Sequence, residues 1–302
     1  MNSKDYWSLY WKEGHKTSFG SSLERNYEGE LKNVWLNVFS NVDKGHKVLD
    51  LCTGNATLIR LAMDTTPLFP HINFTGVDYA NICIDEEIKS YKNVEVLGDL
   101  NIEDLPFAPI SFDLITSNFG IEYSHLKSSL MEVNRLLKVG GKLELICHHY
   151  DSCFIQDSLN CLKALRVIHS PSGPFMILKK LVELLSKENM TEADKVRTTL
   201  NSQLSNLVAE NSSGLINTDF LSFLKHLMKN KNDDKFELLN IYSRESLAFK
   251  NRLTDMIDAS LTTKKLEELK VLLGNLSFNS PSVEVVSEDK NVLAYYISSI
   301  KL

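Results

Sequence analysis

Short apolar runs alternate with amphipathic stretches from about residue 46 to residue 150. Five of the runs have the length and composition of buried strands, at residues 47–51, 73–77, 94–97, 112–116 and 142–147. The stretches between them have a helical spacing of apolar positions, at residues 56–63, 82–89 and 128–137. Strands that alternate with helices form parallel sheets with right-handed crossovers. The pattern therefore predicts a doubly wound α/β fold.

The strand pattern stops after about residue 150 and returns only near the end of the chain. The intervening apolar positions have helical spacing, in segments 175–185, 191–208, 220–228, 246–257 and 266–273. Thr191 is the expected N-cap of the second segment, and Gly274 is the expected end of the last. Two further strands, 282–287 and 292–300, flank a turn-like sequence and predict an antiparallel pair. The prediction is one mostly parallel seven-stranded sheet, with a helical lid inserted after the fifth strand.

These changes of pattern divide the chain into four parts. Residues 1–45 form an aromatic-rich helical cap, and residues 46–150 form the core. Residues 151–250 form the helical insertion, and residues 251–302 complete the core with a last helix and the antiparallel strands. The apolar helix faces of the insertion can line a substrate pocket or join two chains. We therefore expect either a lid or a homodimer contact there.

Composition and charge exclude several classes of protein. The chain has 302 residues, and its hydrophobic fraction of 43% is typical of a globular protein. Its formal net charge is −6. A nucleic-acid partner is not expected, because phosphate binding needs a clustered basic face. Five cysteines without a C-x-x-C pair favour neither a disulfide framework nor a zinc site, and no metal is expected. No segment has the apolar length of a signal peptide or a membrane span, so we predict a cytoplasmic protein.

The stretch VLDLCTGNATLI joins the first predicted strand of the core to the first predicted helix. A dinucleotide site would need the pattern G-x-G-x-x-G, because the backbone must approach a pyrophosphate closely. Those positions hold Cys52, Gly54 and Thr57, and Asp50 would repel the pyrophosphate. A ligand that is cationic or zwitterionic at this point suits the acid better. S-adenosylmethionine meets this requirement, because it has an adenosine and an ammonium-bearing methionine tail but no phosphate.

The segment Asp50-Leu51-Cys52-Thr53-Gly54-Asn55-Ala56 resembles the first motif, D-x-G-x-G-x-G, of the class I S-adenosylmethionine-dependent methyltransferases. Cys52 and Ala56 stand at two of its glycine positions. Later segments resemble the following motifs of the family in the same order: FTGVDYA, VEVLGDLNIEDLPF, SFDLITSNFGIEY and MEVNRLLKVGGKLELI. The resemblance covers about residues 46–150, and the strands within 282–300 match the family's terminal hairpin. It implies a Rossmann-like methyltransferase fold, S-adenosylmethionine as the cofactor and S-adenosylhomocysteine as its product.

The resemblance also implies which residues bind the cofactor. Asp78 stands where an acid accepts both ribose hydroxyls, although a dehydrogenase carries such an acid too. Asp99 stands where the family contacts the adenine amino group, with the Leu100 backbone beside it, and capping of the next turn is its alternative role. Asn118 and Phe119 should border the methionine moiety. The full implied set is Asp50, Cys52, Gly54, Asp78, Tyr79, Asp99, Leu100, Asn118 and Phe119.

Three residues are candidates for catalysis. Methyl transfer needs an aligned nucleophile and, for a hydroxyl acceptor, a group that accepts its proton. Ligands of open α/β sheets bind at the carboxyl ends of the strands. His148 and His149 end the fifth predicted strand, and Tyr123 follows the fourth. Because side chains alternate along a strand, we expect at most one of the two histidines to face the site.

The function predicted from these observations is methylation of a small molecule, most simply on oxygen or nitrogen. A methyltransferase acting on tRNA or protein is an alternative, but it would need a basic groove or a recognition domain, and neither is evident. A non-catalytic partner subunit with this fold is a second alternative. Cys52 and Ala56 favour that reading, whereas Asp78 and Asp99 oppose it. The sequence leaves the acceptor molecule and its reacting atom open.

Overall fold

A computed structural model describes residues 2–19, 26–229 and 234–302. The chain divides into two compact units. The first consists of Met1–Ile155 together with Asp258–Leu302, and the second is Gln156–Ile257. Each unit has its own apolar core.

The first unit contains the strands of the sheet and most of the helices that cover them. Its strands are β1 (Lys47–Leu51), β2 (Asn73–Val77), β3 (Val94–Leu97), β4 (Phe112–Asn118), β5 (Leu137–His148), β6 (Ser282–Glu288) and β7 (Asn291–Ile300). Its helices are α1 (Ser3–Lys12), α2 (Gly29–Ser40), α3 (Thr57–Thr65), α4 (Glu86–Lys89), α5 (Leu126–Leu136) and α11 (Thr263–Asn275). Short 3-10 turns lie at Phe69–His71 and Ile121–Tyr123.

The described strands form one seven-stranded sheet in the order β3-β2-β1-β4-β5-β7-β6. Strands β1 to β5 run parallel to one another, whereas β7 runs antiparallel to both β5 and β6. This sheet confirms the predicted mostly parallel, Rossmann-like fold. The chain order changes direction beside β1, whose neighbours are β2 and β4. Ligands of open α/β sheets bind at such a point, outside the carboxyl ends of the strands.

Alternate residues of the central strands face two different apolar cores. Val48 and Leu114 pack in the core that contains α2 and α3 residues, whereas Leu49 and Ile115 pack in the core that contains α5 and α11 residues. The two-residue period of a strand produces this alternation. Helices therefore cover both faces of the sheet, and only the strand ends remain to form a site.

Strand β5 differs most from its prediction. It begins at Leu137 and continues through Gly140-Gly141, where the sequence predicted the end of a helix and a break. The register with β4 shifts between Phe112 and Leu114, so the extra residues form an irregularity in the ladder. Gly140 has a φ of +78°, a conformation that favours glycine. Gly140 and Gly141 therefore lie in a strand bulge and do not end a helix.

Several helix ends also differ from the predictions. The N-cap of α8 is Asn189, whose side chain accepts the Glu192 N–H, and Thr191 lies within the helix. Gly274 lies inside α11 and does not end it. Helix α4 is a single turn of four residues, shorter than the predicted segment 82–89.

The second unit is helical. It holds α7 (Pro174–Ser186), α8 (Met190–Ile216), α9 (Phe220–Lys229) and most of α6 (Cys153–Ile168) and α10 (Lys235–Ala259). The predicted helix 246–257 is therefore only the second half of α10. Phe175, Leu178 and Leu181 are buried within this unit's own core. Its roles as a lid or a homodimer contact stay predictions.

No helix in the described part of the chain is long and apolar enough to span a membrane.

Candidate active site

In the turn after β1, every second residue from 52 to 56 has a backbone conformation in the left-handed region. Cys52, Gly54 and Ala56 have φ values of 56°, 53° and 61°. This conformation costs a non-glycine residue roughly 1–2 kcal/mol, and the surrounding structure must offset that cost. The cysteine and the alanine therefore hold conformations that usually favour glycine, and helix α3 begins at Thr57 directly after them. The strand–turn–helix is therefore tight although Cys52 and Ala56 replace two glycines of the motif.

Asp50 lies under this turn with its carboxylate buried. It accepts hydrogen bonds from Thr53 Oγ1 at 2.6 Å and from Thr116 Oγ1 at 2.9 Å. Burial raises the pKa of Asp50 to about 7, because desolvation disfavours the charged form more than the two hydroxyls stabilise it. The residue pairs in register with Gly76 of β2 and Thr116 of β4, which fixes it at the centre of the sheet.

Asp78 follows the end of β2 and connects that strand to the turn. Its two carboxylate oxygens accept the N–H groups of Gly54 and Ala80, each at 2.8 Å. Burial raises the pKa of Asp78 to about 6. The structure thus brings together the acid after β2 and the glycine after β1, as expected for neighbouring parallel strands that end at the same edge.

Asp99 and Tyr79 lie beside the N-terminal helix. The Lys4 ammonium forms an ion pair with the Asp99 carboxylate and lies 5.3 Å from the centre of the Tyr79 ring. The Leu100 N–H donates to the Asp78 carbonyl at 2.9 Å. Helix α1 therefore borders the same edge of the sheet as the predicted cofactor residues after β2 and β3.

Asn118 and Phe119 end β4 at this edge. Asn118 Oδ1 accepts the indole N–H of Trp35 at 3.0 Å, and the Asn118 side chain also forms a hydrogen bond with the buried Tyr27 hydroxyl. Phe119 has a φ of 53°, and its ring centre lies 4.7 Å from that of His148.

His148 is completely buried at the end of β5. Its Nε2 lies 3.1 Å from the Tyr123 hydroxyl, and its Nδ1 has no partner within the described ranges. The rings of Phe119 and Phe19 surround the imidazole at 4.7 Å and 5.6 Å. Burial lowers the pKa of His148 to about 3, so the imidazole is neutral at physiological pH. The backbone N–H of His148 donates to Glu122 Oε1 at 2.9 Å.

His149 is not part of this cluster. Its ring lies 4.2 Å from that of Tyr295 and 4.9 Å from that of Tyr150, and its Nδ1 accepts the Asp151 N–H. Successive side chains of a strand face opposite sides, so the structure brings only His148 together with Tyr123. A catalytic role for either histidine stays a prediction.

Comparison with known proteins adds to this geometry. The sequence profile of the family described as "Methyltransferase domain" matches residues 49–145. These residues match a methyltransferase domain. They include the turn after β1, the acids after β2 and β3, and most of β5. The match confirms the predicted family, and S-adenosylmethionine is the cofactor of that family.

The relatives of the methyltransferase domain are curated enzymes. A demethylmenaquinone methyltransferase from Listeria welshimeri is 34% identical over 111 residues, which cover 35% of this chain and 46% of the relative. A ubiquinone/menaquinone biosynthesis C-methyltransferase from Geotalea daltonii is 30% identical over 106 residues, covering 33% and 44%. The chain thus spans less than half the length of the curated relatives it matches.

Solved structures of methyltransferases are also similar to this chain. A putative S-adenosylmethionine-dependent methyltransferase from Methanococcus maripaludis has a TM-score of 0.47 at 12% identity, covering 100% of this chain and 96% of that one. A complex of the Haloferax volcanii Trm112 activator with a putative methyltransferase gives 0.39 at 21% identity, covering 53% and 64%.

Two residues near the turn after β1, Asn55 and Ser18, were not among the candidates predicted from the sequence. Asn55 donates its amide to the Trp11 carbonyl at 2.9 Å and the His15 carbonyl at 2.8 Å. A Cβ atom at Gly54 would lie 2.7 Å from the Trp11 ring, so the indole packs directly against the turn. Ser18 follows in the same segment, and its Oγ is buried. The only sequence signal was the dense aromatic composition of this segment.

Residues 2–19, which we call the N-terminal arm, also close a small cavity of about 30 Å³ at the methyltransferase domain. Trp11 and Ser18 of the arm line it together with Asp50, Cys52 and Asn118. The described residues contain no cluster of three histidine, cysteine or acidic side chains that could hold a metal.

Proposed function

We propose that this protein is an enzyme that transfers the methyl group of S-adenosylmethionine to a small aromatic acceptor. The observation that carries the proposal is the buried Asp78 carboxylate, which accepts the Gly54 N–H at the carboxyl edge of the sheet. An acid fixed at this edge suits the two ribose hydroxyls of an adenosine. The methyltransferase profile and the curated relatives support the same chemistry.

The remaining residues of the edge fit the rest of the cofactor. We assign Asp99, with Tyr79 and Leu100 beside it, to the adenine. Asp50 and Asn118 are assigned to the methionine end of the cofactor. Cys52 and Gly54 form the turn beside the cofactor, and the Phe119 ring forms a wall of its site. When bound, S-adenosylmethionine supplies a methyl group on a positively charged sulfur, and its displacement forms S-adenosylhomocysteine.

The acceptor half of the proposal depends on His148 and its aromatic neighbours. The Phe19 ring lies 4.8 Å from that of Phe119 and 4.2 Å from that of Phe154, which gives the imidazole an apolar surrounding. A planar ring packs well among such side chains, and one hydroxyl on it would satisfy the unpartnered Nδ1. The names of the relatives also refer to quinone acceptors. We therefore propose a hydroxylated aromatic compound, methylated on the hydroxyl or the adjoining carbon.

Two measurements test this function. Titration calorimetry with S-adenosylhomocysteine should show binding, and incubation with methyl-labelled S-adenosylmethionine and a panel of phenols and hydroquinones should give a labelled product. The chemical shift of the new methyl group distinguishes oxygen from carbon as the acceptor atom. An absence of binding at millimolar ligand would instead favour the non-catalytic partner subunit. Label found only in added tRNA or protein would favour a macromolecular substrate.

Cofactor affinity is expected to increase with pH. Burial raises the pKa of Asp50 to about 7 and that of Asp78 to about 6, so both are partly protonated in mildly acidic solution. The ribose hydroxyls and the ligand ammonium bind the ionised carboxylates, and protonation therefore competes with binding. We expect the dissociation constant of S-adenosylhomocysteine to be roughly ten- to hundredfold higher at pH 5.5 than at pH 8, because at pH 5.5 Asp50 is mostly protonated and Asp78 is partly protonated. A dissociation constant that stays constant over this range would contradict the assignment of both acids.

A further inference from the structure

The buried carboxylate of Glu122 lies between the ends of β4 and β5. It belongs to the 3-10 turn Ile121–Tyr123, which follows β4. Its Oε1 accepts the backbone N–H of His148 at 2.9 Å, and the carboxylate also accepts the thiol of Cys147. Both of these donors are neutral. A buried carboxylate with neutral partners is costly for a fold, and carboxylates in such surroundings cluster at functional sites.

The hydrogen bond from Glu122 replaces a strand partner at the end of β5. The ladder between β4 and β5 ends where Asn118 pairs with Ile146. The Ile146 carbonyl accepts the Phe119 N–H at 2.7 Å, so Ile146 directs its backbone groups toward the β4 side. Backbone groups repeat every second residue along a strand, and the His148 N–H therefore points to the same side. Strand β4 has already ended at this point, and the Glu122 side chain accepts the N–H in its place.

Tyr123, the next residue of the same turn, contacts the side chain of His148. Its hydroxyl lies 3.1 Å from Nε2 of the imidazole. The Trp7 ring packs edge-to-face against the Tyr123 ring at 5.7 Å between centres, which limits the movement of the phenol. Two consecutive residues of one turn thus bind the backbone and the imidazole of the same histidine. Fixing the backbone N–H therefore also fixes the imidazole relative to the phenol.

We propose that Glu122 is a positioning residue, whose ionised carboxylate holds the end of β5 so that the His148 imidazole stays beside Tyr123 with its Nδ1 toward the acceptor. The proposal rests on the proposed methyl transfer and on the proposed role of His148 in it. Glu122 then acts only through the histidine, without contact to the cofactor or the acceptor.

The charge of the Glu122 carboxylate depends on pH in the physiological range. Burial raises the pKa of Glu122 to about 7. A hydrogen bond to an ionised carboxylate is stronger than one to a neutral acid, so the hold on His148 is strong above pH 7 and weakens below it. The neighbouring thiols of Cys147 and Cys52 have pKa values raised well above their usual range, so both stay neutral. The pKa of Tyr27 is also raised and that of His148 is lowered to about 3, so neither changes charge near pH 7.

Glu122→Gln keeps an oxygen that accepts the His148 N–H but removes the charge. With saturating S-adenosylmethionine and acceptor, kcat of the wild type should increase through pH 7. The variant should have about tenfold lower kcat at pH 8, the difference between hydrogen bonds to a charged and to a neutral group. At pH 6 the wild-type carboxylate is mostly protonated, so the two proteins should have nearly equal kcat. Asp50 and Asp78 also ionise in this range, but any dependence that they cause is common to both proteins.

A double-substitution cycle tests whether Glu122 acts through His148. In the His148→Gln background, Glu122→Gln should cause no further loss of kcat, because no imidazole is left to position. Glu144→Gln is the matched control. Glu144 is also a buried carboxylate whose pKa is raised by burial, but it lies earlier on β5 and accepts the Tyr296 hydroxyl at 2.8 Å. This variant should leave kcat and its pH profile unchanged.

The contact itself is measured without methyl transfer. In protein labelled with nitrogen-15 histidine, the NMR shift of the His148 backbone amide proton should titrate in the wild type with a midpoint near pH 7. The titration should disappear in Glu122→Gln. An amide shift that stays constant in the wild type would show that the charge of Glu122 does not reach His148, and it would overturn the proposal without any variant.

The outcomes separate this inference from the proposed function. A wild type that transfers no methyl group refutes the proposed function, and the role of Glu122 with it, even where the His148 amide titrates. If the wild type is active but Glu122→Gln leaves kcat unchanged at pH 8, or lowers it equally with and without His148, the function stands and the positioning role is wrong. A loss confined to high pH and to the protein with His148 supports the inference. The circular dichroism spectrum and melting temperature of each variant establish that it is folded.

Discussion

Replacing Asp78 with Asn is expected to weaken the binding of S-adenosylhomocysteine by about ten- to hundredfold, the scale of one or two hydrogen bonds to a charged group. The Asp78 carboxylate accepts the N–H groups of Gly54 and Ala80, and we assign its remaining acceptor capacity to the ribose hydroxyls. Asparagine has nearly the same size but only one acceptor oxygen. Each Asp78 oxygen accepts a backbone N–H, so the amide nitrogen of asparagine would face the N–H of either Gly54 or Ala80, and only one oxygen would remain to accept from the ribose.

Asp113→Asn is the matched control for this variant. The Asp113 carboxylate also accepts a backbone N–H, from Lys47 at 2.9 Å, and pairs with Lys138 at 2.7 Å. It lies at the amino end of β4, whereas Asp78 follows the carboxyl end of β2. Loss of this carboxylate should change the melting temperature but leave the affinity for S-adenosylhomocysteine intact. An unchanged affinity in folded Asp78→Asn would remove Asp78 from the site.

The position of the predicted cofactor residues at one edge of the sheet was predictable, because it follows from local sequence patterns. Asp50 and Gly54 lie within one strand–turn–helix, and Asp78 follows the next strand of the alternating pattern. Parallel neighbouring strands must end at the same edge, so the hydrogen bond between Asp78 and Gly54 follows from the strand order. The resemblance to the methyltransferase motifs identified the same residues independently of this geometry.

The contribution of the N-terminal arm was not predictable from the sequence. Asn55 and Trp11 are 44 residues apart, and no periodic pattern connects a loop asparagine to a carbonyl on another segment. The aromatic residues of the arm predicted a helical cap, but they did not indicate which of its backbone carbonyls accept from Asn55. The burial of Ser18 Oγ depends on the same long-range packing.

Two errors in the secondary structure have local explanations. The apolar residues Phe236, Leu239 and Tyr242 have helical spacing, so the sequence itself indicates that α10 begins near Lys235 and not at residue 246. The glycines at 140 and 141 were a true ambiguity, because glycine marks both helix ends and strand bulges. Here the pairing of β5 with β4 and β7 decides for the strand.

The environment of His148 changes the pH behaviour expected from the sequence. A free histidine would change charge near pH 6.5, and a rise of activity through that pH would identify it as a base. Burial lowers the pKa of His148 to about 3, so the neutral form already predominates at pH 5. Any increase of activity between pH 5 and 8 would therefore have to come from other groups, such as Asp50 and Asp78.

Replacing His148 is expected to lower turnover by about 10²-fold, the lower end of the contribution of a positioned base, because burial lowers its pKa to about 3 and makes the imidazole a weak base. The neutral imidazole can take the proton of the acceptor hydroxyl at Nδ1, while its Nε2 remains hydrogen-bonded to Tyr123 at 3.1 Å. Two amide variants separate the roles of the two nitrogens. Asparagine places its polar atoms near the position of Nδ1, and glutamine places them near that of Nε2. Neither amide accepts a proton at neutral pH.

A base at His148 therefore predicts a large loss of kcat in both His148→Asn and His148→Gln, with the dissociation constant of S-adenosylhomocysteine nearly unchanged. If His148 instead only donates a hydrogen bond that orients the acceptor, His148→Asn should retain most of the activity, and only His148→Gln should lose it. His149→Asn is the matched control, because its ring packs against Tyr295 at 4.2 Å and is not beside Tyr123. Wild-type turnover in both His148 variants, measured with saturating acceptor, would show that the acceptor is already nucleophilic and that alignment with the methyl group is sufficient.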